Sequence, residues 1–201
     1  SPHEKSECDE VEIRLSIALG EKGRAWRLAR AGFERMPHFD GFKRLRQLQQ
    51  QLEWQDETLL PWAEQCFKDQ AAVSQPFNLS SHQDALVRFY LDQERVLDAC
   101  NWVAIHKISP ELMLTLADKI APDNPLLAIS YTFRVAASYV ATGQNDGYEQ
   151  AAAALRKREQ SLGDDKALQE NFSQQLRALA TEYKRKRNFI KLVNLYFVSR
   201  L

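Results

Sequence analysis

Four consecutive cations, Lys184, Arg185, Lys186 and Arg187, make the densest local positive charge in this 201-residue chain. Ammonium and guanidinium groups at that spacing suit phosphate oxygens, so the run is a candidate anion or nucleic-acid contact. Tyr183 and Phe189 flank it, which is a poor version of the stacking platform that single-strand binders use. A second basic arc, Arg24, Arg27 and Arg35, lies opposite the apolar face of its own segment. For both arcs the ordinary alternative is a solvated or salt-bridged helix face, and binding gains weight if the two converge.

Other chemistry finds little support. His3, His38, His82 and His106 are isolated, without the spacing that sets two metal ligands on one helix face. His106, between Ile105 and Ile108, reads as a core or rim residue. No phosphate-cradling glycine loop and no nucleophile elbow occurs, so the chain is expected not to be an enzyme and to need no cofactor of its own. Cys8, Cys66 and Cys100 are odd in number and widely spaced. That suits reduced, buried thiols in a cytoplasmic protein better than a disulfide framework. The sequons at Asn78 and Asn171 carry no weight without secretion.

The elements that would position these groups are helices. Val11 to Leu19 closes on Gly20, a left-handed cap. Arg24 to Met36 sets Ala25, Ala29, Phe33 and Met36 on one face before Pro37 stops it. Phe42, Leu45, Leu48 and Leu52 continue the period, and a further helix from near Thr58 tolerates Pro61 in its first turn. Ser81 is placed as a cap. Ser109-Pro110-Glu111 and Asn124-Pro125 are start signals, because the first residue can accept from an exposed amide while proline at the next position loses no helical bond. Tyr148 to Leu162 ends at Gly163. Asp164 to the end then forms one long stripe, Leu168, Phe172, Leu176, Leu179, Tyr183, Ile190, Val193 and Phe197. Lys186 and Arg187 fall where that stripe wants apolar groups, so either the helix breaks near Arg187-Asn188 or the cations face acids. Residues 189–201 look apolar on nearly all sides and are expected to dock back onto the chain or to form a homodimer or partner contact.

The expected class is all-α, a right-handed α-solenoid of about ten antiparallel helices in tetratricopeptide-like hairpins, recurring every roughly 35 to 40 residues. Alanines at 136, 137, 141, 151, 152 and 154 support close helix packing. The non-periodic stretch Ala71 to Leu79 suggests a boundary at about residue 76, giving hairpins over 1–76 and 77–201 that are expected to form one continuous solenoid. With 44% apolar residues the chain can fill a core, and 27 basic against 27 acidic residues give no global field for nucleic acid or an anionic membrane. No apolar run is long enough to span a bilayer. Acidic Glu4, Glu7, Asp9, Glu10 and Glu12 suit a soluble first helix and could attract the basic tail of a neighbouring molecule. A start at Ser1-Pro2 suggests a piece of a longer polypeptide.

Several stretches carry a resemblance. Gly147 to Leu162, GYEQAAAALRKREQSL, and Phe172 to Val193, FSQQLRALATEYKRKRNFIKLV, resemble the C-terminal region of bacterial proteins bearing an N-terminal SWIM-type zinc finger. Trp26 to Leu52 and Ser109 to Asp118 are similar to the same region. The resemblance implies a tetratricopeptide-like array of unknown activity. The family's C-x-C and C-x-H zinc motif has no match here, so any zinc would belong to an N-terminal domain outside this sequence. The expected role is a non-enzymatic scaffold for a protein partner or for another domain of the parent chain, with nucleic-acid binding through 184–187 as the alternative.

Overall fold

The computed structural model describes residues 2–73 and 79–200, with backbone alone for 2–8 and 79–81. All regular structure among the described residues is helical: α1 (Pro2–Ala18), α2 (Lys22–Arg35), α3 (Phe39–Gln51), α4 (Leu59–Val73), α5 (Leu79–Asp92), α6 (Val96–Ile105), α7 (Pro110–Ile120), α8 (Pro125–Ala141), α9 (Asn145–Gln160), α10 (Lys166–Glu182) and α11 (Arg187–Tyr196), closed by a 3-10 turn at Val198–Arg200. No helix among them is long and apolar enough to cross a membrane. Two compact units form, Ser1–Lys107 and Ile108–Leu201. The boundary expected near residue 76 falls in 74–78, outside the described residues, and the flanking α4 and α5 pack on each other inside the first unit.

Helix ends follow the local chemistry closely. Gly20, Gly143 and Gly163 take positive φ of 75°, 75° and 57° at three C-termini, where a side chain would be strained. Asn124 Oδ1 accepts from the Leu127 amide at 3.1 Å beside Pro125, and Asp165 Oδ1 accepts from Ala167 and Leu168 at 2.9 and 3.1 Å. His38, an isolated histidine in sequence, caps α3 by accepting from the Gly41 amide through Nδ1 at 2.6 Å. Ser81 is not a cap: α5 already starts at Leu79, leaving Ser81 inside the helix.

In the first unit the core is a chain of rings. Phe33 meets Phe67 edge-on at 5.3 Å, and Phe42 meets Phe89 at 5.0 Å, with Phe67 and Phe89 5.6 Å apart. Such contacts add about 0.5–1.5 kcal/mol each to the burial of the rings. Phe42, Leu45 and Leu52 are buried as their spacing requires. Met36 is exposed instead, because α2 has already ended at Arg35 and the chain turns before the next inward position.

The second unit packs α8 against both α7 and α9, and sets α10 on α8 and α11 on α9. Its core runs from Ile129, Phe133, Ala136 and Val140 through Tyr148, Ala151 and Leu155 to Phe172, Leu176, Phe189, Val193 and Phe197. The approach of α9 to the end of α8 is close enough that a Cβ on Gly147 would lie 2.6 Å from the Tyr139 carbonyl oxygen. The closing stretch is not one helix. It breaks at Tyr183–Lys186, a little before the expected point, which lets the cations leave the apolar stripe. Nor is α11 apolar all round: Phe189 and Val193 are buried, with Phe197 just beyond the helix end, while Leu195 and Val198 are 68% and 75% exposed.

Candidate functional site

Each predicted basic residue can now be placed. In α2, Arg24 pairs with Glu21 at 3.2 Å and Arg35 with Asp9 of α1, so two of the three are committed to the fold. Arg27 has no charged partner among the described residues. Lys184, Arg185 and Arg187 are exposed in the α10–α11 turn, and Lys186 is half-buried with its ammonium over Gly143. None of the four is in an ion pair among the described residues. The two arcs belong to different compact units.

Around Arg27 the structure assembles groups that spacing alone does not reveal. A cleft of about 530 Å³ is lined by Trp26, Arg27, Arg30, Glu34, Trp54, Asp56 and Trp62, among others. It is built from α2, the α3–α4 connection and the start of α4. Asp56 organises it: Oδ2 accepts from the Trp26 indole Nε1–H at 2.9 Å and from Arg30 at 2.7 Å. Oδ1 accepts from the Thr58 amide and hydroxyl at 3.0 and 2.6 Å. Burial pushes the Asp56 carboxyl up, but the bonds from Thr58 and Trp26 and the Arg30 charge outweigh it and hold the carboxyl below its usual range. Arg30 in turn lies 4.0 Å over the Trp62 ring. The floor of the cleft is therefore fixed.

The rim is less committed. Glu53 takes a left-handed φ of 50° as α3 ends, and its amide and that of Trp54 donate back to Gln50 and Gln49 carbonyls at 3.1 and 2.9 Å. That turn lays Trp54, 37% exposed, beside Gly23, where a Cβ would stand 3.5 Å from the ring. Glu34 has no bonded partner among the described residues. An indole face, a guanidinium and a carboxylate thus border one concavity. A shallow depression over Gly20–Arg24 continues from it through Arg27. The sequence signal for this site is the crowding of three of the four tryptophans into 26–62.

Other titratable groups serve the fold. Burial pushes Glu64 up, yet bonds from Arg95, Lys68 and Tyr90 bring its carboxyl down to about 2. Burial, with the Glu34 and Asp69 charges, raises the Cys66 thiol to about 11, the opposite of what a metal-binding thiolate needs. The Cys8 side chain lies outside the described residues. No group of three potential metal ligands gathers among those described. His106 is half-buried and stacks on Trp102 at 3.9 Å. In the second unit, buried Arg158 donates to Thr132 at 3.1 Å and to Asp118 at 2.7 Å, an internal brace between α7, α8 and α9.

No protein-family model, curated protein or solved structure matches the chain.

Proposed function

We propose that this chain is a non-enzymatic helical-repeat scaffold, a right-handed α-solenoid of tetratricopeptide-like hairpins. It holds a partner protein or another domain of its parent chain in the cytoplasm. Next-but-one packing supports the repeat reading, since α3 lies on α5, α8 on α10 and α9 on α11, as stacked hairpins require. The observation that carries the binding role is the tryptophan cleft. Its floor is locked by Asp56, while Trp54, Arg27 and Glu34 stay available at the rim. A rigid aromatic anchor flanked by one charge of each sign is the composition of a protein-interface hot spot, and preorganisation lowers the entropy lost on docking. The resemblance to SWIM-type zinc-finger proteins makes an N-terminal zinc domain of the parent chain one candidate occupant.

The test is affinity capture with the wild-type chain beside Trp54→Ala and Arg27→Glu variants, followed by titration of the purified captured protein. The expected result is at least about a tenfold loss of affinity in each variant, the size of a 1.4 kcal/mol contact. A partner that binds all three alike assigns the contact elsewhere.

A further inference from the structure

The chain's neutrality conceals an uneven distribution. The first compact unit holds 14 basic and 17 acidic residues, the second 13 and 10, so the two carry formal charges of −3 and +3. Within the second unit ion pairs hold Lys157 and Arg158 to Asp118, Arg177 to Glu170, and Arg200 to Glu159. Lys184, Arg185, Lys186 and Arg187, and Lys191 one turn beyond Arg187 on α11, are in no ion pair among the described residues. Glu182, the nearest acid in sequence, is turned to the Tyr183 hydroxyl. Asn188 donates to Asn145 at 2.9 Å, tying the first turn of α11 to that of α9. The backbone beneath the cations is therefore held in place.

The kind of partner follows from what surrounds the charge. Protein interfaces are anchored by a desolvated apolar core. Here Phe189 is buried, and Tyr183 and Ile190 are half-buried, so residues 183–191 offer no exposed apolar anchor. A phosphodiester backbone needs none, because its affinity comes from released counterions. The absence of an exposed ring within residues 183–191 also leaves no base-stacking platform there.

We propose that the α10–α11 turn, Lys184 to Arg187 with Lys191, is a sequence-independent nucleic-acid site that grips the phosphate backbone. It is separate from the tryptophan cleft and stands or falls without it. With four phosphates engaged, the logarithm of duplex affinity falls against that of salt with a slope of about −3.5, roughly a hundredfold between 50 and 200 mM.

Fluorescence anisotropy of the whole chain with labelled single-stranded DNA, duplex DNA and RNA of about 30 nucleotides tests this, with poly-glutamate as competitor. Binding to all three polymers is expected at low salt, with each of Lys184→Ala, Arg185→Ala and Arg187→Ala reducing the slope by about 1. Lys184→Glu/Arg185→Glu should remove binding at an unchanged melting temperature, while Trp54→Ala keeps it. The wild-type slope gives a reading even should the double variant misfold. Undetectable binding at low salt, or binding that survives the charge reversals, overturns the proposal. So does displacement by poly-glutamate at equal charge, which would mark an acidic-protein site, or loss of binding in Trp54→Ala.

Discussion

The two compact units use the same helical grammar and fill it differently. Ser1–Lys107 packs ring against ring, with Phe33, Phe42, Phe67 and Phe89 linked at centroid distances of 5.0 to 6.4 Å. Ile108–Leu201 also buries rings, with Phe133 and Phe172 5.0 Å apart, but there α8 and α9 close up on Ala136, Ala151, Ala152 and Gly147. In the first unit the tryptophan cleft opens on α2, the α3–α4 connection and the start of α4. The electrostatics differ in parallel, since the cleft's Arg30 is locked by Asp56 while the α10–α11 turn leaves its cations to solvent. Committed charges make a fixed shape, and uncommitted ones leave a charged surface.

The largest effect that would test this contrast comes from Phe42→Ala. The ring is fully buried among Phe67 and Phe89, so its removal should cost about 3–5 kcal/mol, read by urea unfolding with hydrogen exchange rising first in α3 to α5. A cost below about 1 kcal/mol would mean the ring cluster does not carry the first unit.

A sharper comparison makes one substitution in both units. Gly147→Ala would put a methyl against the Tyr139 carbonyl, and overpacking of that kind costs about 1–3 kcal/mol. Gly32→Ala in α2 meets only the Arg35 guanidinium, at 3.8 Å, and should gain up to about 1 kcal/mol through helix propensity. Effects of opposite sign in thermal melts would support close packing where α9 approaches the end of α8.

Next in size is Glu64→Gln, expected to cost about 2 kcal/mol at neutral pH, since a charge-assisted hydrogen-bond node with Arg95, Lys68 and Tyr90 is lost. The folded carboxyl lies at about 2, below its ordinary value of 4.5. Its stabilisation is therefore complete above about pH 4.5 and disappears as pH falls toward 2. Wild-type and variant stabilities should converge across that window in pH-dependent unfolding curves.

Much of this frame was legible in the residues, because helix starts and stops are decided locally. Asn124-Pro125, Pro110 and the glycines at 20, 143 and 163 act within one turn of themselves, and the helices begin and end there, although Ser109 makes no side-chain capping bond. The break between α10 and α11 was foreshadowed by cations falling on an apolar stripe, though it comes at Tyr183 rather than Arg187. The one-sidedness of α11 was hidden, since it depends on the helix stopping at Tyr196. Least legible was the cleft: Trp26, Asp56 and Trp62 meet only through tertiary packing, and a left-handed Glu53 gives no sign in composition. Arg35 likewise looked solvated because its partner, Asp9, lies 26 residues away.

The smallest expected effect is the one that decides whether the cleft rim is a spare face. Trp54 takes no part in the Asp56 network, which uses Trp26, Arg30 and Thr58, and its ring rests on Gly23 without filling a core position. Trp54→Ala should therefore cost no more than about 1 kcal/mol, while Trp26→Ala, which strips a buried ring and a donor from Asp56, should cost about 3–5 kcal/mol. Paired urea titrations of the two variants, with far-UV circular dichroism as the probe, measure the difference. Similar large losses would make Trp54 a structural prop and leave the rim nothing to offer a partner. A wide gap would mean that the indole is held in place at little benefit to the fold, as a binding anchor would be.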